Sequence, residues 1–207
     1  MKEEQDYIRD LAEIRSMMER SSKFLSLSGW AGILAGIYAL AGALISYRLF
    51  NFNPGEAVEE AGADNSAAIL PKIIGLAVIV LAMAIGTAII LSYKNAEKRG
   101  EKIWNSTTRR LLNNMGLPLV AGGILILIAL AKGFTGLIAP LSLIFYGLAL
   151  CNASIFTYKE VKILGLIEIM LGLISAYFTG FQLICWAFGF GVLHIIYGIY
   201  IHYRYEK

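Results

Sequence analysis

The sequence predicts an all-α protein, a polytopic bundle of six transmembrane helices preceded by a short N-terminal amphipathic helix. Six apolar segments, each close to the length of about 20 residues that a bilayer-crossing helix needs, fill most of the 207 residues. Only 16% of the residues are charged and 57% are hydrophobic, whereas soluble proteins are about 25% charged. The segments are 28–47, 72–92, 116–131, 137–157, 162–179 and 182–202.

The chain therefore divides into an N-terminal arm, 1–25, and a membrane domain, 26–207. Within the arm, Ile8, Leu11 and Met18 recur at helical spacing among charged residues. This pattern favours a helix that lies on the inner leaflet and packs on the bundle. The alternative is a docking site for a cytosolic protein partner. The charged arm is not a cleavable signal peptide, and we expect segment 1 to act as an uncleaved signal anchor.

The basic residues predict the orientation. If both termini are cytoplasmic, 15 of the 18 lysines and arginines face the cytoplasm, as the positive-inside rule requires. The three exceptions, Arg48, Lys72 and Lys132, stand at segment ends, where long side chains reach the interface. We interpret the net charge of +3 as loop charge facing anionic headgroups, and not as a nucleic-acid site.

Segment 3 and the two longest loops each lead to a separate prediction. Segment 3 is the shortest, with about 15 apolar residues after Gly116, and Leu111 and Leu112 can extend it. If segments 3 and 4 instead form one re-entrant hairpin, four spans remain. The basic loop 94–114 is predicted to be interfacial, and the acidic outer loop 50–71 to be either solvated or a funnel for cations.

Small residues recur at helical spacing in segments 1, 2 and 6, for example at Gly36, Gly75, Gly86 and Gly198. Such residues let helix backbones approach closely in a bilayer. They predict a compact bundle and leave a homo-oligomer open.

Glu168 is the one carboxylate inside the predicted segments. Counting from the inner surface at 1.5 Å per residue places Asn152, Glu168 and His194 at depths of about 9, 10 and 13 Å. The three therefore share one level on sequential helices, and Tyr146 and Tyr197 are placed to join them. These five residues form the predicted intramembrane polar cluster.

A carboxylate at that depth costs roughly 2.5–3.5 kcal/mol on insertion scales. Protonation neutralises it, and so does pairing with His194 as imidazolium. The functional interpretation is a proton- or cation-handling site, or the polar floor of a ligand cavity. The structural interpretation is a hydrogen-bonded clasp that holds segments 4, 5 and 6 together.

The sequence gives little support for a cofactor, a metal site, a catalytic site or a disulfide. The two histidines, His194 and His202, lie about 12 Å apart on one helix, which excludes a haem between them in one molecule. No zinc-protease motif, catalytic triad or nucleotide-binding lysine loop is recognisable, so we predict no catalytic residue, metal site or cofactor. Cys151 and Cys185 fall at different depths, which disfavours a disulfide.

Parts of the sequence are familiar. The arm EIRSMMERSS (13–22) running into SLSG (26–29), the stretch FYGLAL (145–150) and the stretch GFGVLHIIYG (189–198) resemble an uncharacterised family of small six-helix integral membrane proteins from bacteria of the Bacteroidetes group. The resemblance covers nearly the whole chain. It implies a multi-pass protein of the bacterial inner membrane, and it brings no activity and no functional residue.

Two function classes stay open at this point. The first is a small channel or transporter component for a proton, a cation or a small solute, which predicts a water-accessible cavity at Glu168. The second is a non-catalytic sensor or interaction protein that docks a cytosolic partner through its arm and its basic loop, which predicts a dry bundle. An enzyme acting on a lipid is a distant third.

Overall fold

The computed structural model describes residues 28–50, 63–98, 100, 103–178 and 180–206, and the regular structure in these ranges is helical throughout. This confirms the predicted all-α class. The predicted N-terminal helix (1–25) lies outside the described residues. The six helices are α1 (Gly29–Phe50), α2 (Ala63–Lys98), α3 (Ser106–Ala131), α4 (Ile138–Ala153, after a 3₁₀ turn at Thr135–Leu137), α5 (Lys159–Tyr177) and α6 (Gln182–Glu206).

Helix α6 is continuous but not uniform. It is α-helical over Gln182–Trp186 and His194–Ile201, and it widens into π-helix at Ala187–Leu193 and again at His202–Glu206. Short π segments inside α-helices are rare and often mark functional sites.

Five stretches of the described chain are long and apolar enough to cross a membrane. They are α1, the part of α2 from Ile69 to Lys98, α3, Thr135–Ala153 and α6. Helix α5 differs because it carries four charged residues, which are Lys159, Glu160, Lys162 and Glu168.

Two predicted loops are shorter than the sequence suggested. Helix α2 already begins at Ala63, inside the predicted outer loop, and it continues to Lys98. Helix α3 begins at Ser106, because the side chain of Asn105 accepts a hydrogen bond from the backbone N–H of Thr108 at 2.8 Å and so caps the helix. The 26 residues of α3 span about 39 Å, so the weakest predicted segment is long enough to cross alone.

Helix α4 ends at Ala153, four residues before the predicted end of segment 4 at 157. The hydroxyl of Ser154 donates to the Cys151 carbonyl at 2.6 Å, and that of Thr157 donates to the Ala153 carbonyl at 3.0 Å. Such local side-chain bonds satisfy carbonyls at a helix end without further helical turns.

The packing places α1 against α2 and α6, and α4 between α3 and α5, while the first turns of α6 contact α4 and α5. Glycines allow the closest contacts. A Cβ built on Gly36 in α1 would stand 2.6 Å from the Gly191 carbonyl of α6, and one on Gly165 in α5 would stand 2.7 Å from the Gly147 carbonyl of α4. Gly75 and Gly86 of α2, by contrast, face open space.

One carboxylate joins three helix ends. Glu206 Oε1 accepts from the backbone N–H of Gly29 at 2.8 Å and from the Asn95 side chain at 2.9 Å, and its Oε2 lies 2.6 Å from Nδ1 of His202. The start of α1 and the ends of α2 and α6 therefore meet on one side of the bundle. We call this side the Glu206 end and the opposite side, where α4 begins, the Thr135 end.

Candidate functional site

Glu168 lies in the middle of α5 on the face that the helix buries, and none of its surface is exposed. Both carboxylate oxygens are buried, and neither has a hydrogen-bond partner among the described residues. A buried polar group without a partner is costly, and a charged one is far more so. Burial without a partner therefore favours the neutral, protonated carboxyl over the charged carboxylate at this position.

Gly189, in the π segment of α6, makes the room that this carboxylate occupies. A Cβ at Gly189 would stand 2.5 Å from Glu168 Oε2 and 2.7 Å from Cδ2 of Leu143 in α4. Any larger residue at this position would have to displace the carboxylate or the fully buried Leu143.

His194 is the first residue after the π segment, and it is 6% exposed. Its Nδ1 lies 2.9 Å from the carbonyl oxygen of Gly189, five residues earlier, and its Nε2 lies 2.9 Å from the hydroxyl of Tyr146 in α4. A carbonyl oxygen can only accept, so Nδ1 carries the hydrogen. In the neutral ring Nε2 then accepts from Tyr146, and in the imidazolium it donates to Tyr146.

The same Nδ1 lies 3.5 Å from Glu168 Oε1. This distance is at the limit for a hydrogen bond but short enough for strong electrostatic coupling when the ring is protonated. Glu168, His194 and Tyr146 therefore form one buried cluster, in which the Nδ1–H must turn from the Gly189 carbonyl toward Oε1 before a proton can pass to the carboxylate.

Aromatic rings cover one side of this cluster. The ring of Phe190 lies 5.0 Å from that of Tyr146 and 5.9 Å from that of His194, and Trp186 packs on Phe190 at 5.1 Å. These contacts hold the imidazole and the phenol in place within an apolar surround, where a charge interaction is stronger than in water.

Of the other two predicted cluster residues, Asn152 bonds to α3, whereas Tyr197 packs on the same apolar cluster as Tyr146. Asn152, in the last turn of α4, donates from its side chain to the Asn114 carbonyl of α3 at 3.2 Å. Tyr197 is one turn beyond His194 on α6 and packs on an apolar cluster near the Glu206 end. The helical phase explains the position of Asn152, since five residues place it about 140° around α4 from Gly147, which faces α5; the depth count considered level alone.

A cavity of about 110 Å³ opens elsewhere in the bundle, between α1, α2 and the Thr135 end of α4 and α6. Its lining is mostly apolar and includes Ser46, Val80 and Trp186, but not Glu168. Glu168 is therefore closed off from this cavity in the conformation described here.

The donor set argues against a metal ion at Glu168. Calcium takes six to eight oxygen ligands and magnesium a near-octahedral set. In the part of the chain that the structure describes, no group of three histidine, cysteine, aspartate or glutamate residues is placed to hold a metal. One carboxylate beside an imidazole and a phenol is better suited to holding a proton.

Sequence reasoning missed Gly189, Phe190 and Leu143, which shape the site. Gly189 stands five residues before His194, the separation of one π turn, but nothing in the sequence distinguishes it from the packing glycines around it. No family model, curated protein or solved structure matches this chain.

Proposed function

We propose that this chain is a six-span protein of the bacterial inner membrane in which Glu168 reversibly binds a proton, as a small transporter or channel component. The observation that carries the proposal is the complete burial of a carboxylate that has no hydrogen-bond partner within the described part of the chain and lies 3.5 Å from an imidazole nitrogen. Ionisable residues within a membrane are rare and mark proton relays and ion pathways. The donor set described above favours a proton over a metal ion as the species bound.

The six-span topology rests on α5. Its 19 residues reach about 28 Å, close to the 30 Å hydrocarbon core. Three of its four charges, Lys159, Glu160 and Lys162, stand in the first turn at the Glu206 end, so Glu168 is the only charge deep in the helix. With α5 as a span, the chain crosses six times. The junction of α1 and α6 at the Glu206 end and the bias of basic residues support cytoplasmic termini.

A second function is favoured by a different observation. Glu168 is shielded from solvent and from the described cavity, as expected of a dry bundle in which the cluster is a clasp between α4, α5 and α6. In that case the protein would be a non-catalytic sensor or interaction protein, with a cytosolic partner bound by its arm and basic loop.

The experiment that separates the two compares the parent protein with Glu168→Gln in proteoliposomes, and the matched control is Glu97→Gln, an exposed residue of α2. Proton flux and thermal stability are measured on the same preparations. We expect flux in the parent and the control, and its loss in Glu168→Gln without loss of stability, because the substitution removes a buried charge that has no partner.

The opposite result would support the clasp. If the parent carries no proton flux and Glu168→Gln unfolds several degrees lower than the control, Glu168 belongs to a clasp. The transport proposal then fails, and the sensor or interaction protein takes its place.

A further inference from the structure

The buried polar atoms that lack partners lie along a single helix. Among the described residues, the buried side-chain nitrogen and oxygen atoms without a hydrogen bond are Glu160 Oε2, both oxygens of Glu168 and Ser175 Oγ. All belong to α5, and they follow one another at about 12 and 10 Å along its axis. At 100° per residue the three side chains fall within one sector of less than a quarter of the helix surface.

Tyrosine side chains pack near the part of this face toward the Glu206 end. The hydroxyl of Tyr205 donates to Glu160 Oε1 at 3.0 Å, and Tyr205 stacks on the buried Tyr158 at 4.1 Å. Tyr146 and Tyr197 pack on the same apolar cluster as Tyr205. Tyr197 is one turn beyond His194 on α6, so its level lies between the Tyr146–His194 pair and Tyr205, which bonds Glu160.

The part toward the Thr135 end is closed by apolar packing. Leu143 and Pro140 of α4 are fully buried next to α5. A Cβ on Gly172 would stand 2.6 Å from Ile144 and 3.0 Å from the Pro140 carbonyl. Ser175 lies beyond this contact and has no described polar partner that joins it to Glu168.

We infer that Glu168 exchanges its proton with the Glu206 end alone in this conformation, along a path of Glu160, Tyr197 and the Tyr146–His194 pair. This inference rests on the proposed proton binding at Glu168. It assigns Glu160 and Tyr197 as proton-transfer residues, and Leu143 with Pro140 as the seal toward the Thr135 end.

The transfer balances at each step. Each carboxylate, phenol or imidazole on the path accepts one proton and releases one proton, so each of these groups ends with its original charge. At His194 the proton arrives at Nε2, and the hydrogen on Nδ1 leaves the Gly189 carbonyl for Glu168 Oε1; the ring then holds its hydrogen on Nε2 and must turn over before the next transfer. The solution at the Glu206 end loses one proton and the Glu168 carboxylate becomes the acid.

Other titratable groups face the path. Arg204 of α6 lies 3.8 Å from Glu160 Oε1, and Tyr158 precedes α5 beside Tyr205. At Glu168 the described titratable neighbours are Tyr146 from α4 and His194 from α6. Arg204 holds Glu160 at the mouth of the path by charge attraction, and it cannot itself release a proton.

The test follows the carboxylic acid C=O band of Glu168 by time-resolved infrared spectroscopy after a pH jump, on the full chain in lipid nanodiscs. The band is assigned by its absence in Glu168→Gln. A positioned proton-transfer group contributes about 100-fold or more to a rate. We therefore expect Glu160→Gln and Tyr197→Phe each to slow the change of this band by at least about tenfold, while Glu97→Gln and Ser175→Ala leave the rate unchanged.

The outcomes separate the two proposals. If no band in the parent responds to pH and depends on Glu168, the proposed function fails, and the path fails with it. If the band responds but Glu160→Gln and Tyr197→Phe exchange as fast as Glu97→Gln, Glu168 binds a proton and the path alone is overturned. Slowing by Ser175→Ala instead would place the entry at the Thr135 end and would also overturn the inference. Because Tyr197→Phe removes only a hydroxyl, it keeps the test available if Glu160→Gln does not fold.

Discussion

Gly189 offers the sharpest test of the site geometry, because its missing side chain is the space that Glu168 fills. In Gly189→Ala, the new Cβ would stand 2.5 Å from Glu168 Oε2 and 2.7 Å from Leu143 Cδ2. An ordinary Cβ contact begins at 3.4 Å, so the carboxylate must retreat by about 0.9 Å. It has little freedom to do so, since Glu168 and Leu143 are both fully buried.

The size of the effect follows from two opposing contributions. Overpacking a well-packed interior costs about 1–3 kcal/mol, and replacing glycine by alanine inside a helix recovers roughly 0.5–1 kcal/mol. Relative to an alanine substitution at a helical glycine with open space, which recovers the same helical contribution, the loss of unfolding free energy should be about 1–3 kcal/mol. For a chain of this size, 1 kcal/mol shifts the Tm by about 2–4 °C, so Gly189→Ala should unfold about 2–12 °C below such a control.

Thermal unfolding in detergent, followed by intrinsic fluorescence, measures this change. The control is Gly86→Ala in α2, where a new Cβ meets nothing within 4 Å, and the control should be as stable as the parent or slightly more stable. If Gly189→Ala unfolds at the same temperature as Gly86→Ala, the described contact between α6 and Glu168 does not exist, and the site geometry is refuted.

Two further changes test the polar contacts. Tyr146→Phe removes the hydroxyl from Nε2 of His194, which leaves a buried nitrogen unpaired and should cost about 1–3 kcal/mol; a Tm equal to that of the parent would contradict the hydrogen bond. Glu206→Ala removes the carboxylate that accepts from the Gly29 amide at the start of α1. Loss of such a cap costs about 0.5–2 kcal/mol, so hydrogen exchange at the Gly29 amide should accelerate. The control Glu97→Ala, at the same end of the bundle, should leave this exchange unchanged. Equal exchange in both variants would argue against the cap.

The sequence predicted helix positions well where apolar composition decides them. Segment 1 was expected at 28–47 and α1 is Gly29–Phe50, and segment 6 was expected at 182–202 and α6 is Gln182–Glu206. In a membrane, an apolar stretch must satisfy its own backbone as helix. Composition therefore locates the core of each helix.

Helix ends were less predictable, because local side-chain bonds set them. Asn105 caps α3 from within a stretch predicted as loop, and Thr157 binds the last carbonyl of α4 where the segment was expected to continue. Asn152 shows a separate difficulty, since depth counting does not decide which neighbour a side chain faces, and Asn152 faces α3. Depth counting placed Glu168 and His194 at similar levels because both residues lie in the interior of their helices.

The π segment of α6 could not be read from the sequence, yet it organises the cluster. It follows Trp186 and ends at Leu193, so its widened turns bring the Gly189 carbonyl to His194 Nδ1 and open the space for the Glu168 carboxylate. A regular α-helix would instead direct that carbonyl to the backbone N–H four residues later. The π segment thus determines that Nδ1 of His194 carries the hydrogen and that the Glu168 carboxylate faces this nitrogen.

The positions of α4, α5 and α6 around Glu168 also indicate which movement transport would require. The inferred path from Glu160 to Glu168 follows one face of α5 on the Glu206 side, and the packing of Leu143 and Pro140 closes the other side. A proton can leave toward the Thr135 end only if that packing opens. Helix α6 places Gly189 beside Leu143 and Glu168 and contributes His194 to the cluster, so a movement of α6 against α4 and α5 would change the seal and the proton site together. Coupling of this kind distinguishes a transporter from a static clasp. The contact between α6 and α5 is therefore expected to change during transport and to stay fixed in a clasp.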